Sequence, residues 1–258
     1  MLFSIISPAK KLASDTEYIG HTNQPIFKKE AATLVTLLQQ KTPAEIAALM
    51  HISEKLAYLN YTRYQTFNPQ SYSRKNALPA LFLFQGDVYQ GLQANTFNAR
   101  DINFCEKACG ILSGLYGLLS PLDLVQPYRL EMNTALANPR GKNLYAFWQQ
   151  TVTTAINRRL SATGANYLIN LASNEYFAVL DTASICRPII KVDFKDEKHG
   201  LLKTIGLHAK RARGTMLHFI IKHRCKTLTD LQAFTGMDYQ LNEALSTNDT
   251  LTFTRQQP

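Results

Sequence analysis

Short apolar runs of strand length alternate irregularly with stretches of helical period along the whole chain, and no linker separates them. Leu2–Ile6, Ala80–Phe84, Ile111–Leu112, Tyr167–Leu171, Ile189–Phe194 and Leu201–Ile205 read as strands, the last two flanking a charged turn over Lys195–Gly200. Helical spacing predicts helices over 26–40, 98–108, 144–160 and 209–224, with a short one over 175–180. Thr42 and Pro43 open another helix that runs to Met50, and Ser53 caps the one after it. The tail turns at Ser246–Asp249 between Tyr239–Leu241 and Leu251–Phe253, a hairpin. No internal repeat, low-complexity stretch or clean βαβ series is visible. The expectation is a mixed α/β fold in one domain spanning 1–258.

No apolar run approaches the roughly 20 residues that cross a bilayer, and Pro8 comes too early for a signal peptide. Four cysteines at irregular spacing do not make a disulfide framework. A cytoplasmic protein without membrane contact is expected. Metal ligands are poorly represented: the six histidines form no H-x-x-x-H pair, and Cys105 and Cys109, one helical turn apart, lack companions. No metal and no cofactor is expected.

Charge is distributed unevenly. The chain carries 28 Lys and Arg against 19 Asp and Glu, a net charge of +9. Eleven basic residues against three acidic ones fall between Arg187 and Lys226, so that stretch holds eight of the nine net charges. Such a concentration suits a polyanionic partner, or else a solvated basic face. Lys210, Arg211 and Arg213 fall in the opening turns of the 209–224 helix, where the helix dipole disfavours cations and Gly214 costs about 1 kcal/mol relative to Ala. An anion drawn to free backbone N–H groups would account for both features. The alternative is a solvated turn whose Gly214 packs on a neighbouring element.

Three further groups carry candidate chemistry. Ser7 and Lys10 follow the first strand and suit an anion; they also spell S-x-x-K, but the S-D-N and K-T-G partners of that serine-nucleophile signature are missing. Arg129 offers a bidentate fork for phosphate or carboxylate, and Asp87, Asp123, Glu131 and Glu175 are possible acids or bases. Tyr89, Tyr116 and Tyr128 offer faces for a stacked base, while the competing role for Arg129 is an internal ion pair with Glu131 or Asp123. The helices around 43–64, joined at Met50–Ser53 with Lys55 and Arg63 nearby, form a candidate backbone-binding hairpin, although the glycine usual in such a turn is missing.

Several segments together resemble the YaaA peroxide-stress family. They are Ser7-Pro8-Ala9-Lys10, Gly86-Asp87-Val88-Tyr89 with Gly91-Leu92, Leu112-Ser113-Gly114-Leu115-Tyr116-Gly117, Pro121-Leu122-Asp123, Pro127-Tyr128-Arg129-Leu130-Glu131-Met132, Asn170-Leu171-Ala172-Ser173 with Glu175-Tyr176, and Ala212-Arg213-Gly214. Their order and spacing cover most of the chain. The resemblance implies the family's own α/β arrangement, called cantaloupe, with a helix-hairpin-helix element and a positively charged cleft. It implies a role in the response to hydrogen peroxide, keeping intracellular iron low and protecting DNA, and binding to double-stranded DNA; protein partners are not implied, nor is a defined reaction. Two functions therefore stand side by side. One is a DNA-binding protein gripping phosphates without base readout; the other is an enzyme on a nucleobase or nucleotide in the same cleft, cleaving a glycosidic bond.

Overall fold

Leu2–Ile6 (β1) is buried along its whole length, the mark of a strand with partners on both sides and cover on both faces. The computed structural model describes residues 1–256. After β1 come β2 (Lys11–Leu12), α1 (Lys28–Gln39), α2 (Pro43–Met50) and α3 (Glu54–Gln65). The chain continues through β3 (Leu78–Pro79), α4 (Ala80–Leu83), β4 (Phe84–Gln85), α5 (Asp87–Leu92), α6 (Ala99–Ala108), β5 (Cys109–Ser113), β6 (Gly117–Leu119) and β7 (Leu124–Val125). It ends with α7 (Leu144–Thr163), β8 (Tyr167–Asn170), α8 (Asn174–Phe177), β9 (Ile189–Lys198), β10 (Leu201–Lys203), α9 (Gly206–His223), α10 (Leu228–Gln232), β11 (Gln240–Leu241) and β12 (Thr250–Gln256).

An eight-stranded mixed sheet organises these elements, in the order β11-β12-β9-β8-β1-β5-β6 with β10 also on β9. Its centre, from β12 through β9, β8 and β1 to β5, is parallel. The outer pairs β11/β12 and β5/β6, and the β9/β10 hairpin, are antiparallel. Helices α6 and α7 pack on β1, and α9 packs on β9. Local chemistry sets the helix ends: Thr42 with Glu45, and Asn98 with Asp101, form capping boxes at α2 and α6. Asn143 caps α7, and Gly164 in the left-handed region closes it.

Three sequence expectations change. Ser53 stands at the N-cap position of α3, but its side chain makes no capping hydrogen bond. Ala80–Phe84 is a turn of helix bounded by two-residue bridges, not a strand; a five-residue apolar run has no period that separates the two. The charged segment Lys195–Lys198 belongs to β9 rather than to a turn, which shrinks to His199 and Gly200. The alternation Val192, Phe194, Asp196 is buried throughout, and Asp196 is tolerated there because Arg255, Tyr239 and His208 all bond its carboxylate. The mixed α/β expectation and the C-terminal hairpin stand.

Candidate functional site

The order of the parallel strands fixes where a site is expected. The chain leaves β1 for β5 on one side, then returns to β8 on the other, so the β1/β8 junction is the switch point of the sheet. Open parallel sheets bind ligands outside the carboxyl ends of the strands at such points. The two loops that leave these ends are tied together: the Ser173 N–H donates to Ser7 Oγ at 2.9 Å, and Ser7 Oγ donates to Ser173 Oγ at 3.2 Å. The Tyr89 hydroxyl donates to the Ser7 carbonyl at 3.2 Å.

A pocket of about 320 Å³ opens over this junction. The loop after β1 contributes Ser7 and Lys10, β2 contributes Lys11, and the first turn of α5 contributes Asp87. Segment 128–131 brings Tyr128, Arg129 and Glu131, the segment after β8 brings Ser173, Glu175 and Tyr176, and α9 brings Lys210 and Arg213. Five cations thus meet three carboxylates. Pro8, Leu130 and Leu171 supply apolar wall.

Glu131 organises the electrostatics. Its Oε1 accepts from Arg129 Nε at 3.0 Å and Nη2 at 2.8 Å, and lies 3.3 Å from Lys10 Nζ. Its Oε2 is buried and has no hydrogen-bond partner among the described residues. Arg129 is held from below, since the buried Tyr64 of α3 donates its hydroxyl to the Arg129 carbonyl; burial pushes the Tyr64 phenol well above its usual range. Arg213 is partly buried and forms no ion pair among the described residues; burial pulls its guanidinium down, partly offset by Asp193. The Asp87 carboxylate has no hydrogen-bonded partner among the described residues, and the Glu175 carboxylate accepts only from the Asn133 N–H, at 3.5 Å, while its carbonyl accepts from the Tyr145 hydroxyl at 2.9 Å.

The 113–117 loop has a supporting part. Ser113 Oγ and the Tyr128 hydroxyl are 2.7 Å apart, and the Tyr116 N–H donates to Ser113 Oγ at 2.9 Å. A Cβ on Gly114 would collide with the Leu130 backbone, so glycine lets this loop press against segment 130–131. Tyr116 is fully buried, edge-on to Tyr72 and Tyr128, and offers no face for a stacked base. Tyr89 and Tyr128 are nearly as buried. These phenols are core residues, with burial raising all three.

Of the candidates read from the sequence, Ser7, Lys10, Asp87, Arg129, Glu131, Glu175, Lys210 and Arg213 come together in this pocket. The ion pair of Arg129 is with Glu131, not with Asp123. Asp123 lies elsewhere, buried and accepting from the Ser120 N–H at 2.8 Å. Arg211 points to Gln90 Oε1 at 2.9 Å, outside the lining. Lys55 is exposed on α3, whereas Arg63 is half-buried and bonds Asn60 Oδ1 at 3.1 Å. His51, in the left-handed region at φ 51°, closes α2 where a hairpin glycine would sit more easily.

Gly214 is buried inside α9, against Val88 and Leu92 of α5, which is the packing alternative for its presence. The helix starts at Gly206 rather than Ala209, so its free N–H groups precede Lys210. Lys11 and Ser173 join the site without having stood out as site residues in the sequence. Lys11 adjoins Lys10 and Ser173 lies in the Asn170–Ser173 segment, but only the fold brings the two segments together.

The family profile described as "Peroxide stress protein YaaA" matches residues 1–245. A UPF0246 protein of Legionella pneumophila is 44% identical over 255 residues, covering 98% of this chain and 99% of its own length. UPF0246 proteins of Idiomarina loihiensis and Bordetella avium are 44% and 45% identical over 256 residues, covering 98% and 99% of this chain and the same shares of their own. With the matched profile and these relatives spanning nearly its whole length, the chain belongs to the peroxide stress protein YaaA family.

Proposed function

We propose that this protein grips double-stranded DNA by its phosphates, without reading bases, as part of the response to hydrogen peroxide. The supporting observation is that Lys10, Lys11, Arg129, Lys210 and Arg213, from three distant parts of the sequence, line one pocket. Lys210 and Arg213 are three apart on α9 and so share a face. Arg213 is a partly desolvated cation without an ion-pair partner among the described residues, and an arriving phosphate would offset that cost. The pocket and its rim are the basic cleft of this reading. The α2–α3 pair, with Lys55 exposed beside its turn, is its helix-hairpin-helix element and a second backbone contact. The lower intracellular iron implied by the family resemblance belongs to the same stress response, and the setting would be the cytoplasm.

The test is duplex affinity as a function of salt. The log–log slope of wild type should exceed that of a Lys210→Ala/Arg213→Ala double variant by about 0.9 for each phosphate that the variant no longer neutralises. An identical slope and affinity in the double variant removes this face from the interface.

A second reading is favoured by the carboxylates. Glu131, Glu175 and Asp87 line the same pocket as Arg129 and Tyr128, the set that hydrolysis of a nucleobase glycosidic bond requires of acid, base and cation. Release of free base from duplex or nucleosides would support it. No release across damaged and undamaged substrates would end it.

A further inference from the structure

The pocket is too small for the duplex that the proposed function places against it. About 320 Å³ is at the lower end of cavities that enclose one small ligand, roughly 300–1,000 Å³. A phosphodiester alone also fits its chemistry poorly. It is only an acceptor, and it would meet Glu131 as well as the cations. The Oε2 of Glu131 is a buried acceptor without a protein donor, in a residue only 8% exposed. Such an atom is costly to leave unsatisfied. A ligand suited to both features carries an anion together with an N–H or O–H, and a flat or apolar body for the wall of Pro8, Leu130 and Leu171.

We infer that the pocket receives one nucleotide unit, its phosphate on Lys210 and Arg213 and a donor of its base or sugar on Glu131 Oε2. Because Oε2 is shielded from solvent, a side chain must give way as the ligand enters. Lys10, with a side chain 67% exposed against 10% for Glu131, is the partner free to do so. Arg129 keeps the carboxylate in place through its fork on Oε1. The unit is either a free mononucleotide or a nucleotide swung out of a strand, as enzymes that handle single bases do. This rests on the proposed reading that the pocket cations bind nucleic-acid phosphate.

Calorimetry with the four deoxynucleoside 5′-monophosphates and with inorganic phosphate tests the inference on the full chain. At least one nucleotide should bind about ten-fold or more tighter than phosphate, the worth of a hydrogen bond to a charged group. Glu131→Gln should erase that advantage with phosphate affinity undiminished, and Lys210→Ala/Arg213→Ala should weaken both ligands. A duplex containing 2-aminopurine separates the sources, because fluorescence rises on saturation only if the base leaves the stack. Tight mononucleotide binding with a quenched duplex assigns the free nucleotide. Should no nucleotide outbind phosphate and the duplex stay quenched, the inference is overturned, with wild-type protein alone sufficing for that result. Salt-dependent duplex binding in that case leaves the backbone reading intact. Absence of duplex binding beside tight nucleotide binding overturns the backbone reading instead.

Discussion

Gly214 of α9 packs so closely on Val88 of α5 that a Cβ on the glycine would occupy the space of the Val88 carbonyl oxygen and stand 2.9 Å from Leu92 N. The close approach is mutual, since a Cβ on Gly91 of α5 would meet the Arg211 carbonyl and stand 2.9 Å from Thr215 N. Backbone cannot yield as a side-chain tip can. Gly214→Ala and Gly91→Ala should each cost about 3 kcal/mol or more. Gly206→Ala, on the same helix with no atom within 4 Å of the new Cβ, should be neutral or stabilising by up to about 1 kcal/mol. Urea denaturation of the three variants checks the contrast. Equal losses at all three would refute the crossing as the reason for these glycines.

That crossing also marks where sequence stops being legible. The capped helices could be read because their signals are local: Thr42-Pro43 with Glu45, or Asn98 with Asp101, declare themselves within four residues. The buried strands β1 and β8 could be read from apolar runs. Ala80–Leu83 could not, because four apolar residues carry no period. The candidate cations and carboxylates of the pocket were visible as residue types, yet their meeting depends on the strand order that sets Ser7 beside Ser173. Gly214 beside basic residues suggests close approach by something, and only the path of α5 identifies it as backbone.

Asp123 should make stability fall with rising pH. Burial, with a smaller push from the Glu106 carboxylate, raises its carboxyl to about 7 despite the Ser120 N–H. A folded value above the unfolded one, near 4, means its contribution is favourable at low pH and is lost between about pH 4 and pH 7. Asp123→Asn keeps an acceptor for Ser120 and has nothing to ionise. The variant should gain on wild type across that window and level off above it, by about 2–4 kcal/mol at pH 8. Urea midpoints from pH 4.5 to 8.5 measure this, and a variant that loses ground as pH rises contradicts the assignment.

Asp196 should act with the opposite sign. Burial alone would raise its carboxyl, but hydrogen bonds from Arg255, Tyr239 and His208 together outweigh it and hold the group below its usual range. Its stabilisation is present above the unfolded value, near 4, and is lost as pH falls through the lower folded value. Asp196→Asn leaves the buried Arg255 guanidinium, 2.7 Å away, without a countercharge. The cost should be about 3 kcal/mol at neutral pH, shrinking below about pH 4. Thermal melts at pH 7 and pH 3 decide; a cost independent of pH would mean that the carboxylate charge is not what Arg255 needs.

Lys55 and Arg63 share α3 but should fail in different assays. Arg63 is half-buried, with burial pulling its guanidinium down, and it bonds Asn60, itself buried. Its removal strips packing and one hydrogen bond from a helix whose Tyr64 holds the Arg129 carbonyl. Arg63→Ala should therefore cost about 1 kcal/mol of stability and leave the salt dependence of duplex binding unchanged. Lys55 is exposed and without a partner among the described residues, so Lys55→Ala should stay within about 0.5 kcal/mol of wild type. If α3 touches a phosphate, that variant alone should lower the log–log salt slope by about 0.9. A flattened slope in Arg63→Ala with full stability would instead make Arg63 a phosphate contact of α3, and an unchanged slope in both variants would put the duplex on the pocket rim without α3.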